Sequence, residues 1–332
     1  MRIINNIKLA PDRKRLKNLL IVAVFFLAGL FCGRAIFIIQ KYLEDFLWAK
    51  KLEAAPLPFF IADIHQNYAG LVDLGIIAES GLLVEIKGEE ERTIFKRAER
   101  QKMAIASLSK LMTAVIASEF YPLDLKTKIS KKAVLQDEDN GNLKIGEELT
   151  VENLLYLLLM ESSNDAAMAL AEITSERAFT ALMNLKAREL GMKETYFFNV
   201  SGLDGDANNG DDAEEGETGF NFSTASDLIR LGKYILEKPL ILEIISKKEY
   251  PLYLENGSFH HLLKNTDELL GQLPGFIGGK TGFTERAGGC FLFISKCEKA
   301  GSFFVGVVLN STDRFGDAKK LLEYGNNKRK CN

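Results

Sequence analysis

Three short motifs carry side chains able to act on one another. The first is Ser107-Leu108-Ser109-Lys110. At a helix start, residues i and i+3 share a face, so the Ser107 hydroxyl and the Lys110 amine would meet. A serine attacks poorly until a base takes its proton, and a lysine held neutral can be that base. Backbone N–H groups at the same helix N-terminus suit a developing negative charge. The second motif is Ser162-Ser163-Asn164, set between two apolar stretches of helical character. Such a break presents a hydroxyl that can pass a proton to a leaving amine, and an amide that can hold Lys110 and a substrate backbone. The third is Lys280-Thr281-Gly282, inside the strand-like run GGKTGFT. Here Lys280 supplies positive charge near the cleft and helps keep Lys110 neutral. Thr281 offers its hydroxyl to a carboxylate, and Gly282 lets a ligand approach the strand backbone. Each motif alone has a plainer reading: a capped helix start, a capped helix break, and a turn before a strand.

The elements that must position these motifs are legible from periodicity. Ile105 to Phe120 repeats as a helix beginning at the first motif. Val151 to Ile173 is an apolar helical region broken by Ser162-Ser163-Asn164-Asp165. Arg177 to Leu190, stopped by Gly191, and Thr224 to Leu236 read as two further helices. Gly81 to Lys87 and Thr93 to Lys96 read as a strand pair around the polar turn Gly88–Arg92. Phe276 to Thr284, Gly289 to Ser295 and Phe303 to Asn310 read as three strands, and Asp317 to Tyr324 as a closing helix. Strands at both ends with helices between predict an α/β sandwich: an antiparallel sheet flanked by helices, with an inserted helical subdomain over about 106–240. The catalytic domain is expected over 57–325 and a short tail over 326–332.

The three motifs in this order resemble the signature set of penicillin-binding proteins and class A β-lactamases. The longer blocks IASLSKLMTA, LLYLLLMESSNDAAMALAE, FTALMNLKARELGMKETYFFNVSGLD, FSTASDLIRLGKYIL and HHLLKNTDELL resemble the D-alanyl-D-alanine carboxypeptidase family. So does DRFGDAKKLLEYG, and the likeness covers roughly residues 80–325. The resemblance implies the serine D,D-peptidase fold and a reaction. Ser107 attacks the carbonyl between two D-alanines of a peptidoglycan stem peptide, with Lys110 as base. Ser162 relays a proton to the leaving D-alanine, and Asn164 orients Lys110 and substrate. Backbone N–H groups of Ser107 and Phe283 form the oxyanion hole. Thr281 contacts the substrate carboxylate, with Arg314 and then Arg286 as further candidates. β-Lactam antibiotics are expected to acylate Ser107, and no cofactor is implied. Ser163 departs from the family, which more often has Ala or Gly there.

The remaining features bound the setting. The formal net charge of −3 offers nothing to nucleic acid. Arg2, Lys8, Arg13, Lys14, Arg15 and Lys17 form a basic segment over 1–17, ahead of an apolar run over 18–39. That run approaches the roughly 20 residues a bilayer requires, so a retained membrane helix with a cytoplasmic N-terminus is expected, then a linker over 40–56. A cleaved signal peptide is the rival reading. The four cysteines do not read as a disulfide framework, and Cys290 and Cys297 are expected as free thiols. Residues 204–217 carry seven carboxylates and no basic group, which suits a solvated loop. Asp204, Asp206, Asn208, Asp212 and Glu215 also fall at ligand positions of a calcium loop, although Asn209 stands where that loop needs Gly.

Rival functions leave their own marks. A β-lactamase would need an activating acid, for which Glu217 and Asn221 have suitable mutual spacing. A D,D-endopeptidase would use the same site on crosslinks. A wall-binding protein without catalysis would not need the motifs intact. A zinc peptidase would have to draw on His65, His260 and His261, two of them adjacent.

Overall fold

The computed structural model describes residues 74–136, 141–205 and 219–331. The expected basic segment, membrane helix and linker lie outside the described residues, as do His65, Glu217 and the calcium-loop positions Asp206, Asn208, Asp212 and Glu215. Among the described residues no helix is long and apolar enough to cross a membrane.

Strands β1 (Ser80–Lys87) and β2 (Glu90–Arg97) open the described chain as a hairpin. A two-residue strand β3 (Met103–Ala104) and a 3-10 turn (Ala106–Leu108) lead into helix α1 (Ser109–Phe120). Strand β4 (Lys126–Lys128), the one-turn helix α2 (Lys131–Val134) and strand β5 (Glu148–Thr150) follow. Helix α3 (Val151–Tyr156) relaxes into a π turn (Leu157–Glu161) before α4 (Asn164–Glu172) and α5 (Glu176–Glu189). Next come β6 (Phe222–Ser223), α6 (Ala225–Ile235), α7 (Pro239–Ser246) and the hairpin β7 (Glu249–Tyr253) and β8 (Phe259–Lys264). Strands β9 (Phe276–Thr284), β10 (Gly288–Cys297) and β11 (Ser302–Ser311) precede the closing helix α8 (Arg314–Arg329).

The main sheet has the order β2-β1-β11-β10-β9. Every pairing in it is antiparallel, and β1 joins β11 with Leu83 opposite Gly306. The opening hairpin and the three late strands therefore close one sheet, and the helices α1 to α7 fall between its two halves in sequence. Side chains alternate between two cores. Leu82, Val84, Leu292, Ile294, Val305 and Val307 face the large helical core. Leu83, Phe291, Phe293, Phe304 and Val308 face the other way, onto Ala318, Leu321 and Leu322 of α8. A sheet covered on both faces buries most residues of its central strands, which is why the middles of β10 and β11 read as largely apolar runs.

Local chemistry fixes the helix starts. Thr150, Ser163, Ser175, Thr224 and Asp313 each accept a hydrogen bond from a backbone N–H three residues on. Each such cap is worth about 1 kcal/mol. Helix α1 is buried from Ser109 through Ala117, so it runs through the core rather than along its surface.

The cysteine expectation needs correction. Cys290 is a buried free thiol, but Cys297 is bonded to Cys331, with Cα atoms 5.0 Å apart. Helix α8 extends to Arg329, well beyond the expected Tyr324, and it returns the last residues to the end of β10. Residues 326–329, expected as tail, are thus part of the closing helix.

Candidate active site

Ser107 sits in the 3-10 turn ahead of α1 rather than in the helix itself. Ala106, just before it, has a φ of 46°, a conformation L-residues rarely hold. The turn survives because its neighbours are small. Gly202 has a φ of 89°, and a Cβ there would lie 2.0 Å from the Ala106 carbonyl oxygen. A Cβ on Gly282 would approach Ser107 N to 3.0 Å. The edge strand β9 and the 201–203 loop thus hold the nucleophile's backbone from two sides.

Lys110 is wholly buried. Its Nζ lies 2.8 Å from Ser107 Oγ, 2.6 Å from Asn164 Oδ1 and 2.8 Å from the Ser201 carbonyl. With two N–H bonds directed at Asn164 and Ser201, a neutral amine keeps its lone pair for the Ser107 hydroxyl. Ser162 follows the π turn in the left-handed conformation, with a φ of 64°. Strained backbone at such a position concentrates at functional sites. Ser163 caps α4, so the plain reading of this motif holds for one of its residues while Asn164 reaches Lys110.

A cleft of about 240 Å³ opens over these groups, lined by Ser107, Ser162, Asn164, Thr281, Phe283 and Arg314 among others. Strand β9 is the sheet's outer strand, so its free edge faces the cleft. Phe283 is exposed, and Arg314 Nη1 donates to the Gly282 carbonyl at 3.0 Å. The motif residues expected to converge do so, with one exception in placement. Lys280 is 1% exposed and does not line the cleft; its Nζ donates to the Thr281 carbonyl at 2.9 Å. Burial and the Arg314 charge push its amine down to about 7, while Asp267 opposes them. Burial likewise lowers the Arg314 guanidinium from its ordinary value.

Two neighbours escaped sequence reasoning. Thr266 lines the cleft, and its Oγ1 lies 2.6 Å from Thr281 Oγ1. Asp267 is 3% exposed; Oδ1 accepts the Leu269 N–H at 2.9 Å, while Oδ2 has no hydrogen-bond partner. Burial pushes this carboxyl up to about 6, against the pull of nearby N–H groups, Lys280 and Arg314. Neither residue belongs to a periodic pattern, and their relation to Thr281 and Lys280 exists only after β8 and β9 are in place.

Other candidates fall elsewhere. Arg286 lies 3.9 Å from Asp204 and packs over Phe220 at 4.5 Å, and it does not line the Ser107 cleft. Asn221 spends its amide on structure: Nδ2 donates to Ser109 Oγ and the Asn199 carbonyl, and Oδ1 accepts the Phe198 and Asn199 N–H groups. That leaves it no free group for activating a water. His260 and His261 lie on β8, each with Nε2 on a carboxylate. Among the described residues no group of three His, Cys, Asp or Glu side chains is placed to hold a metal ion.

Comparison with known proteins places this geometry. A family model described as D-alanyl-D-alanine carboxypeptidase matches residues 71–313. The D-alanyl-D-alanine carboxypeptidase DacF of Bacillus subtilis is 30% identical over 258 residues, covering 74% of this chain and 61% of that protein. This chain thus spans less than two thirds of that relative. A D-alanyl-D-alanine endopeptidase of Escherichia coli is 29% identical over 252 residues, covering 74% of this chain and 76% of that protein. Among solved structures, penicillin-binding protein D2 from Listeria monocytogenes in its cefotaxime-bound form aligns with a TM-score of 0.63 and 30% identity. It covers 75% of this chain and 97% of its own.

Proposed function

The chain belongs to the D-alanyl-D-alanine carboxypeptidase family, and on that premise we propose that it removes the terminal D-alanine from peptidoglycan stem peptides through a Ser107 acyl-enzyme. The observation that carries this reading is the 2.8 Å approach of Lys110 Nζ to Ser107 Oγ inside the cleft beside β9.

The substrate's C-terminal dipeptide lies along the free edge of β9 as an added strand. Its terminal carboxylate meets the Thr281 hydroxyl and Arg314. For Thr281 to donate to that carboxylate, its oxygen must accept from Thr266, so Thr266 sets the direction of the hydroxyl pair. Lys110 takes the Ser107 proton as Oγ bonds to the carbonyl carbon. The oxyanion is held by the N–H groups of Ser107 and Phe283, each donor worth about 2.7–4 kcal/mol in such sites. Ser162 passes the proton from Lys110 to the leaving nitrogen, the C–N bond breaks, and D-alanine departs as the amine. Water then enters, gives its proton back through Lys110, and frees the acid and Ser107. Penicillins and cephalosporins acylate the same oxygen by opening their lactam C–N bond.

A second reading is favoured by the endopeptidase relative: the same chemistry on a crosslink, where the leaving amine belongs to another stem peptide. The two differ only in what the cleft accepts beyond the scissile bond.

Residues 18–39 hold the enzyme to the membrane with the catalytic domain outside the cytoplasm. The apolar run and the basic segment before it support this. So does the Cys297–Cys331 disulfide, since such bonds persist in oxidising compartments.

The deciding experiment measures D-alanine released from a pentapeptide ending in D-Ala-D-Ala, with Ser107→Ala beside the wild type. Release abolished by the substitution supports the carboxypeptidase. Absence of release, with cleavage of a crosslinked dimer, selects the endopeptidase.

A further inference from the structure

His260 and His261 are neighbours on a strand, where successive side chains point to opposite faces. Here they do not. Strand β8 shifts register against β7 between Leu252 and Tyr253: Leu252 opposes His261 and Tyr253 opposes Phe259, leaving His260 as an extra residue. A bulge of this kind re-aims a side chain. The two rings come to lie 4.7 Å apart, with their Nδ1 atoms 2.5 Å from each other. Their outer nitrogens face acids. His260 Nε2 lies 3.1 Å from Glu147, and His261 Nε2 lies 2.9 Å from Glu161. All four side chains are between 7% and 19% exposed.

An imidazole nitrogen that carries a hydrogen can donate it to an ionised carboxylate, and a hydrogen on either Nδ1 can bridge the two rings. Among the described residues, the charged side chains paired with the rings are Glu147, from the segment before β5, and Glu161, from the π turn.

Glu161 immediately precedes Ser162. Its second oxygen accepts the Lys264 N–H at 3.3 Å, and the Thr266 N–H donates to the Met160 carbonyl at 3.0 Å. The end of β8 is thus strapped to the turn that presents Ser162, and the strap continues through Thr266 to Thr281.

We propose that the His260–His261 pair, gripped by Glu147 and Glu161, is a positioning clamp with one shared proton that holds the Ser162 hydroxyl in register with β9. The clamp rests on the assignment of Ser162 as proton relay. Neither histidine touches substrate. The relay acts on bond cleavage rather than on capture of the substrate carboxylate, so the clamp acts on kcat and acylation rate with little effect on KM.

The test uses the full-length protein, His261→Phe, His261→Gln and His260→Gln, with D-alanine release and labelled-penicillin acylation followed between about pH 5 and 8, where imidazoles change charge. His261→Phe is expected to lower kcat about tenfold with KM within twofold. His261→Gln still donates to Glu161 and is expected to regain most of that loss, with a flatter pH profile than the wild type. Proton and nitrogen magnetic resonance of the wild-type imidazoles is expected to show one low-field N–H shared between the rings, absent from both Gln variants. Wild-type kcat and pH profile in His261→Phe, or two independently titrating rings, would overturn the clamp. Should His261→Phe fail to fold, the resonance data and His260→Gln decide alone. A wild type inactive on every substrate would instead sink the proposed function, and the resonance experiment would still report the shared proton.

Discussion

Lys110 Nζ stands 2.8 Å from Ser107 Oγ and is held on its other sides by Asn164 and the Ser201 carbonyl. The amine cannot swing away without abandoning two buried acceptors. Its direction is therefore fixed before substrate arrives, which is the preorganisation that a general base needs. Lys110→Met, close in length but without a lone pair, is expected to slow acylation by labelled penicillin by about 10²–10⁴. Asn164 and Ser201 would also lose a partner, so the variant should be less stable by about 1–3 kcal/mol. Unchanged acylation in a folded Lys110→Met would remove Lys110 from the mechanism.

The Thr266–Thr281 hydroxyl pair gives a test of the carboxylate subsite. Thr266→Val keeps the shape but cannot donate, so Thr281 loses its orientation. KM for the pentapeptide should rise about tenfold, equivalent to about 1.4 kcal/mol, with kcat changed less. Thr266→Ser should restore it. A Val variant with normal KM would mean that Thr281 orients itself.

Much of this site was legible in the sequence, for a physical reason. The motif residues are close in sequence within each group, so the 3-10 turn running into α1 brings Ser107 to Lys110 across three positions. The central strands β10 and β11 were legible because burial on both faces leaves their middles largely apolar. What escaped depends on contacts between distant segments. Thr266 matters only because β8 delivers it beside Thr281. Cys331 pairs with Cys297 only because α8 carries the chain back, a return of 34 positions that no local pattern announces. Lys280 was expected near the cleft, yet its long side chain folds under to the Thr281 carbonyl. The bulge at His260 likewise arises from the β7–β8 pairing, not from the two histidines themselves.

The buried lysine makes a prediction about pH. Lys280 falls to about 7 in the folded protein, from 10.5 for an exposed lysine. Between those values the unfolded chain binds more protons than the folded one, so stability must rise with pH across that window. Below about 7 the folded protein carries a buried ammonium and the penalty is complete. Lys280→Met should remove this dependence. Urea unfolding from pH 6 to 10 is expected to show wild-type stability climbing by a few kcal/mol relative to the variant. Parallel curves would mean that Lys280 keeps its proton throughout.

The disulfide predicts a dependence on redox conditions. Cys297 and Cys331 close a loop of 34 positions, which in chain-entropy terms stabilises by about 3–4 kcal/mol. The bond pins the end of α8 to β10, and the start of α8 supplies Arg314. Cys331→Ser, or reduction of the wild type, should lower the unfolding temperature by several degrees. Activity at low temperature should persist, because Arg314 lies a full helix length from the bond. Equal melting of oxidised and reduced protein would show that the bond adds nothing to the fold.

Gly202 offers the sharpest test of how the nucleophile is held. Its φ of 89° already disfavours any side chain, and a Cβ would come within 2.0 Å of the Ala106 carbonyl. That contact is with backbone, so no rotamer change can relieve it. In Gly202→Ala the 201–203 loop and the 105–107 turn must part, moving Ser107 relative to Phe283 and taking the Ser201 carbonyl from Lys110. Displacements of about 1 Å cost on the order of 10²-fold in rate when they disturb reacting groups. The expected result is a folded protein, melting a few degrees lower, whose acylation by penicillin falls about 10²-fold. Asn199 binds the same loop through the Gly202 N–H, so Asn199→Ala should weaken the loop without any clash. If Gly202→Ala slows acylation and Asn199→Ala leaves it unchanged, the contact with Ala106 is what sets the geometry of Ser107. If both are silent, the 105–107 turn holds itself.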